Sequence, residues 1–280
     1  MAVIAGPTAS GKSALALDLA ERRRGTIINA DSAQVYRDLR VLTARPSAEE
    51  EGRAPHRLFG HVDAADAGYS AARWADEARE AIAATLAEGR LPIVVGGTGL
   101  YLRTLLDGIA PVPPIDPAVR AEVRALPVAQ AHAQLAVLDP EAAARLHAND
   151  TTRVARALEV ARSTRRPLAA WHAERIGGIA RQMSVELTLL LPPREQLYAV
   201  IERRSTAMLA SGALDEVAAL LARDDVPPVA PARRAIGIAP LAALLAGTLS
   251  HEEALTQLRA DTRRYAKRQY TWFGNQSLLH

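Results

Sequence analysis

The sequence predicts an α/β fold in which a parallel-sheet core is interrupted by an all-helical insertion domain. Three observations carry this reading. Short apolar stretches alternate with helical patterns in the N-terminal part, as expected of a sheet covered on both faces. A Gly-rich turn joins the first apolar stretch to the first helix. Beyond a Pro-rich segment near residue 110 every pattern is helical, until an apolar strand returns at residue 186.

Residues 2–5 read as a buried strand, residues 12–23 as a helix with Leu15 and Leu19 inward, and residues 26–30 as a second strand. A long helix spans residues 70–88 and ends at Gly89, and a third strand covers residues 91–95. Gly96-Gly97-Thr98-Gly99 then leads into a helix over residues 100–106. Pro111, Pro113, Pro114 and Pro117 form a stiff linker. Residues 118–171 are helical, residues 186–191 form a late strand, and the chain is helical again after Pro193. The domains expected are a core of residues 1–115 and 184–280 and an insertion of residues 116–183.

Composition narrows the chemistry. Hydrophobic residues make up 49% of 280, enough for a sizeable core. With no cysteine, disulfides, thiolate metal sites and cysteine nucleophiles are excluded. The N-terminus enters a strand with no positive leader segment, and no apolar run is long enough to cross a bilayer. Net charge is only +3, yet residues 145–166 and 259–268 are each strongly basic, which leaves the remainder net acidic. Basicity confined to two segments suits a polyanion partner; two solvated helix faces are the plainer alternative. Lys12 and Lys267 are the chain's two lysines, so Lys12 marks a place where a compact point charge is wanted.

Gly6-Pro7-Thr8-Ala9-Ser10-Gly11-Lys12-Ser13 matches G-x-x-x-x-G-K-[ST] between a strand and a helix, which makes the core P-loop NTPase-like. Backbone N–H groups and the helix N-terminus would cradle a di- or triphosphate. Lys12 would reach the outer oxygens, and the Ser13 hydroxyl would ligate Mg²⁺. Asp31 follows the second strand at the sheet's ligand-binding edge, where it suits a general base; Asp31 to Gln34 also fits a helix N-cap. Thr98 follows the third strand in the same way and also fits a cap. From residue 150 a helix turns Val154, Ala157, Leu158 and Ala161 to one face, leaving Arg153 and Arg156 free for phosphates or bases. The C-terminal run Arg263 to Phe273 interleaves cations with aromatics, a pattern for phosphate contact and stacking. Trp272 and Phe273 read better as core.

These motifs, with Asn29-Ala-Asp-Ser-Ala-Gln-Val-Tyr36, Thr43-Ala-Arg-Pro46, Pro55-His-Arg-Leu58, Val95-Gly-Gly-Thr-Gly-Leu-Tyr101, Arg156-Ala-Leu-Glu-Val160 and Ala266-Lys-Arg-Gln-Tyr-Thr-Trp-Phe273, resemble the bacterial tRNA dimethylallyltransferases (tRNA isopentenyltransferases, the IPP transferase family) over almost the whole chain. The resemblance implies transfer of a dimethylallyl group from dimethylallyl diphosphate to N6 of the anticodon-loop adenosine at tRNA position 37, with release of pyrophosphate. It implies that the prenyl diphosphate occupies Gly6 to Ser13, with Arg45 assisting and Mg²⁺ as cofactor. Asp31 would be the base, with Lys12 and Thr98 also catalytic. The anticodon stem-loop would be held by Asp31, Ser32, Ala33, Gln34, Thr98, Arg120, Thr152, Arg153, Val154, Ala155 and Arg156, through the insertion together with the core. A cytoplasmic monomer with no membrane association is expected.

The sequence departs from the family pattern at three places. Ile238 and Ala239 stand where an aromatic and a basic residue are frequent, so either Arg233 or Arg234 substitutes or that contact to pyrophosphate is absent. Arg45 replaces a common lysine, and Gly274 stands where arginine is frequent. The rival readings are a small-molecule P-loop kinase, which would release ADP rather than pyrophosphate, and an RNA-binding NTPase or adaptor without prenyl transfer.

Overall fold

The computed structural model describes residues 1–276 and 278. It divides into one unit of Met1–Leu106 with Ile179–His280 and a second of Asp107–Gly178. The division falls earlier at both ends than residues 115 and 183. Ile109 and Ile176 exchange backbone hydrogen bonds at 2.9 and 3.0 Å, so the entering and leaving segments already belong to the second unit before the prolines are reached.

The first unit is built on five strands: β1 (Ala2–Ala5), β2 (Gly25–Asn29), β3 (His56–Arg57), β4 (Leu91–Gly96) and β5 (Glu186–Leu189). All pair in parallel, in the order β3-β2-β4-β1-β5. Alternate residues serve opposite faces, as the pleat requires. Val3, Ala5, Ile28 and Val94 enter one apolar cluster, while Ala2, Ile4, Ile27, Ile93 and Val95 enter another. Strands apolar on both faces must be central, and β1 and β4 are. The edge strand β5 is half exposed and ends at Leu189, two residues before the apolar run does. The two-residue, polar β3 has no period that a sequence could display.

Helices cover the sheet: α1 (Lys12–Arg23), α2 (Ala48–Arg53), α3 (Ala71–Ala87) and α4 (Gly99–Asp107). Ser70 accepts the Arg73 N–H and starts α3, and Ser47 with Glu50 forms a capping box on α2. The second unit contains α5 (Pro117–Ala125), α6 (Val128–Leu138), α7 (Pro140–Arg145), α8 (Thr151–Thr164) and α9 (Leu168–His172). Its core gathers Val123, Leu135, Val154 and Leu158. The first unit closes with α10 (Arg194–Ala210), α11 (Ala213–Leu221), a 3₁₀ turn (Pro231–Arg234), α12 (Ile238–Leu245) and α13 (His251–Asn275). Phe273 is buried, and Trp272 packs against the same core. Among the described residues no helix is long and apolar enough to cross a membrane.

Candidate active site

Strands β1, β2 and β4 are neighbours, so the loops at their C-terminal ends converge on one edge. A cleft of about 490 Å³ opens there, its polar side formed by Thr8, Asp31, Thr98, Arg204, Arg234 and Arg268. Its apolar side includes Tyr36, Leu42, Tyr101, Met208 and Leu258. Tyr101 stacks on the buried Trp74 indole with ring centroids 4.5 Å apart. A smaller pocket of about 70 Å³ holds Lys12, Ser13 and Gln34.

The cradle after β1 bends through left-handed residues, Ala9 at φ 66° and Gly11 at φ 87°. A left-handed alanine is unfavourable, and its place in an anion-binding turn is where such strain is found. The Ser10 hydroxyl is buried with no protein partner, as expected of a donor awaiting a ligand oxygen. Lys12 Nζ donates to the Pro7 carbonyl at 3.2 Å. Burial draws the Lys12 ammonium down to about 8; Asp31 opposes that shift and Arg204 adds to it.

Arg204 is the site residue that the motifs do not reveal. Its guanidinium donates to Thr8 Oγ1 at 2.6 Å, and burial lowers its proton affinity against the pull of Asp31. Two crowded, desolvated cations offset by one carboxylate form a site that an anion would relieve. A signal for it does exist. Leu197, Ile201, Ser205 and Met208 are the buried face of α10, and Arg204 falls on that face at helical spacing. An arginine on an inward stripe calls for a partner.

Asp31 is fixed by Asn29, whose Oδ1 accepts the Asp31 N–H at 2.9 Å and whose Nδ2 donates to the Asp31 and Leu58 carbonyls. Asp31 Oδ1 accepts the Ala33 N–H at 2.9 Å, so Asp31 caps a turn and starts no helix. Thr98 Oγ1 accepts the Ser32 N–H at 2.9 Å. That hydroxyl therefore spans two loops instead of capping α4, and it brings the β2 and β4 ends together. Burial raises the neighbouring Tyr265 phenol, with Asp31 adding and a hydrogen bond to Thr98 opposing. The loop beyond Asp31 is held by Glu216 of α11, whose carboxylate accepts the N–H groups of Arg40, Val41 and Leu42 at 2.9, 2.7 and 3.0 Å.

Several residues have uses that the sequence does not indicate. The Arg45 guanidinium donates to the Tyr36 and Arg37 carbonyls at 3.4 and 3.3 Å and lines neither pocket, so the loop claims it and the second cation at the cradle is Arg204. Gln34 spends both amide hydrogens on the Thr43 and Ala44 carbonyls. Of the two candidates for the missing basic residue, Arg234 lines the cleft, whereas Arg233 donates to the Arg223 carbonyl.

In the second unit Val154 is fully buried, which corrects its place among RNA-contacting side chains: the inward face of α8 takes it. Thr152 and Arg153 are exposed, and Ala155 is partly buried. Arg156 is not free. It faces the buried Glu159 carboxylate at 3.8 Å, which it shares with Arg120 at 3.9 Å and Arg124 at 2.9 Å. Three guanidinium groups on one carboxylate still leave an excess of positive charge. In the C-terminal basic segment, Glu202 pairs with Arg259 and Arg263.

Mg²⁺ can be tested against the donors present. Ser13 is exposed at the start of α1, and among the described residues no group of three His, Cys, Asp or Glu could hold a metal. That donor set fits an ion taking one protein hydroxyl and completing its shell from phosphate and water.

A model of the IPP transferase family matches residues 34–276. The chain is 60% identical to the tRNA dimethylallyltransferase of Sphingopyxis alaskensis, covering 99% of this chain and 90% of that protein. It is 55% identical to the tRNA dimethylallyltransferase of Rhodopseudomonas palustris (strain BisA53), covering 98% and 84%. Among solved structures it is similar to the full-length tRNA isopentenylpyrophosphate transferase of Bacillus halodurans, with TM-score 0.67 and 34% identity over 99% of this chain and 88% of that one. It is also similar to a eukaryotic dimethylallyltransferase acting on tRNA, with TM-score 0.81 and 29% identity over 98% and 69%.

Proposed function

Since the chain belongs to the IPP transferase family, we propose that it is a tRNA dimethylallyltransferase, moving the prenyl group of dimethylallyl diphosphate onto N6 of an anticodon-loop adenosine. The observation that carries this reading is the cleft itself: Asp31, the desolvated Arg204 and an apolar wall line one space, and the desolvated Lys12, in the smaller pocket, feels the charges of both Asp31 and Arg204. A diphosphate head needs the cations, a dimethylallyl tail needs the apolar wall, and the incoming amine needs an acceptor for its proton.

The exocyclic amine of adenosine is a weak nucleophile, so the C–O bond to diphosphate must be weakened as the C–N bond forms. Lys12, Arg204 and the cradle amides stabilise charge that grows on the departing pyrophosphate. Asp31 takes the proton that the nitrogen must lose. Thr98 keeps Ser32, and with it the turn carrying Asp31, against the β4 loop. Mg²⁺, held in part by Ser13, would supply further neutralisation of the phosphates. The cleft is built by one chain, so the reading needs no second copy, and a tRNA substrate points to the cytoplasm. RNA phosphates would be met by Arg153 and by the Arg120–Arg124–Arg156 group of the second unit.

The test is a single-turnover assay with labelled dimethylallyl diphosphate, Mg²⁺ and unmodified tRNA. Label in the RNA with an equal amount of pyrophosphate is expected; ATP turnover without label would replace the reading with phosphoryl transfer.

The R153A/R156A double variant should bind tRNA more weakly and lower the slope of log K against log salt by ~0.7–0.9 for each RNA phosphate it no longer neutralises. An unchanged slope would take both arginines out of the RNA contact, leaving Arg156 as a partner of Glu159 alone. Pyrophosphate affinity should fall as pH rises. Lys12 titrates near 8 in the free protein and only its charged form attracts the anion, so binding should weaken above that value by up to about tenfold per pH unit. Calorimetry on wild type and K12M reads this difference: the steep limb should vanish in the variant, and a limb common to both proteins would assign the fall to a group other than Lys12.

A further inference from the structure

The run of cations and aromatics in α13 also contains an uncharged residue, Gln269, which is 5% exposed. Its Oε1 accepts the Thr8 backbone N–H at 2.8 Å, and its Nε2 donates to the Gly97 carbonyl at 2.8 Å. We propose that Gln269 is a positioning residue for prenyl transfer: its carboxamide sets the spacing between the diphosphate cradle and the turn that carries Thr98. The inference rests on the prenyl-transfer reading.

The β1–β4 register ends at Ala5 opposite Gly96. The loops that follow carry the chemistry, and Gln269 continues the connection past the last ladder pair. On one side it fixes Thr8, whose hydroxyl accepts from Arg204. On the other it fixes Gly97, next to Thr98, whose hydroxyl accepts from Ser32 beside Asp31. One carboxamide thus joins the group facing the leaving phosphate to the group facing the acceptor amine. The Thr8 amide is consumed by this hydrogen bond, so it is not among the N–H groups offered to phosphate.

The chemistry of the side chain is specific. A buried N–H and a buried C=O must both be satisfied, which takes an acceptor and a donor on one planar end. Leucine offers neither. An ionised carboxylate offers only acceptors and would face the Gly97 carbonyl, whereas a protonated carboxyl group can do both. Gly97 leaves no slack, because a Cβ there would lie 2.3 Å from Nε2.

The experiment compares wild type, Q269L and Q269E in the single-turnover assay, with circular dichroism at each pH to express rates per folded protein. Q269L should lose about 10²-fold in rate, the scale of a 1 Å misplacement, with tRNA affinity retained. Q269E should match Q269L at pH 9 and recover at pH 6 by about tenfold relative to wild type. Lys12, Asp31, Arg204, Tyr265 and Arg268 are present in all three proteins, and Q269L, which adds no charge beside them, reads the loss of the two hydrogen bonds alone. A wild-type rate in Q269L, or a Q269E deficit that is the same at every pH, would overturn the role. If neither variant folds, G97A presses on the same carboxamide and decides: a slowed rate supports the role and an unchanged rate overturns it. Wild-type protein that fails to label tRNA would overturn the prenyl-transfer reading and this role with it. Labelling by wild type with an unimpaired Q269L overturns the role alone.

Discussion

Replacing Asp31 with alanine is expected to slow single-turnover prenyl transfer by roughly 10²–10⁴, about 2.7–5.4 kcal/mol of activation free energy, while tRNA stays bound. As the exocyclic nitrogen bonds to the prenyl carbon it becomes cationic, and its proton needs an acceptor within the cleft. Asp31 is the carboxylate lining that cleft. Alanine alone does not isolate this effect, because Asp31 Oδ1 also accepts the Ala33 N–H and shapes the turn through Gln34. Asparagine keeps that acceptor and removes the base. D31N should therefore fall nearly as far as D31A, with affinity for tRNA closer to wild type. A D31N rate near wild type would reassign Asp31 from proton acceptor to turn-former. Loss of tRNA binding in D31A but not in D31N would mean that the turn governs RNA contact and the carboxylate governs chemistry.

The parts of this site legible in the sequence are those set by neighbouring residues. The cradle from Gly6 to Ser13 is one turn between a strand and a helix, and Asp31 and Thr98 each follow an apolar strand directly. In a parallel sheet, being at a strand's C-terminal end already fixes the edge on which a residue lies. The residues that escape are those brought in across the chain. Arg204 meets Thr8 from 196 residues away, and Gln269 meets it from 261. Nothing local marks either partner, although an arginine on the buried face of α10 is a legible anomaly. The placements that the structure changes have a similar cause. Arg45 lies in a motif beside the cradle, but the conformation of an irregular loop decides where its guanidinium points, and the Tyr36 and Arg37 carbonyls claim it. Val154 enters the stretch expected to contact RNA by adjacency to Arg153, against its own helical period, and the period wins.

Removing the guanidinium of Arg204 should be the second most damaging change to the reaction. R204M is expected to lower the transfer rate by about 10²–10³, the usual loss when one preorganised donor is taken from a developing oxyanion. The placement supports the size of the effect. Arg204 is largely shielded from water beside the cradle, is tied to Thr8 Oγ1 at 2.6 Å, and is positioned before any ligand arrives. A charge fixed in a low-dielectric site acts on the transition state without reorganising, whereas a solvated one would not. A second consequence separates a chemical role from a packing role. Arg204 helps to depress Lys12, so its removal should raise the Lys12 value above about 8 and carry the alkaline limb of pyrophosphate binding to higher pH. The sign follows from repulsion, since one cation fewer favours the charged form of the other. A mere packing defect would lower the rate and leave that limb in place. R204K should recover part of the rate, because it restores the charge without the planar fork that reaches Thr8. If R204M binds and releases pyrophosphate like wild type at every pH, charge stabilisation at the cradle rests on Lys12 and the backbone alone, and Arg204 serves only to hold Thr8.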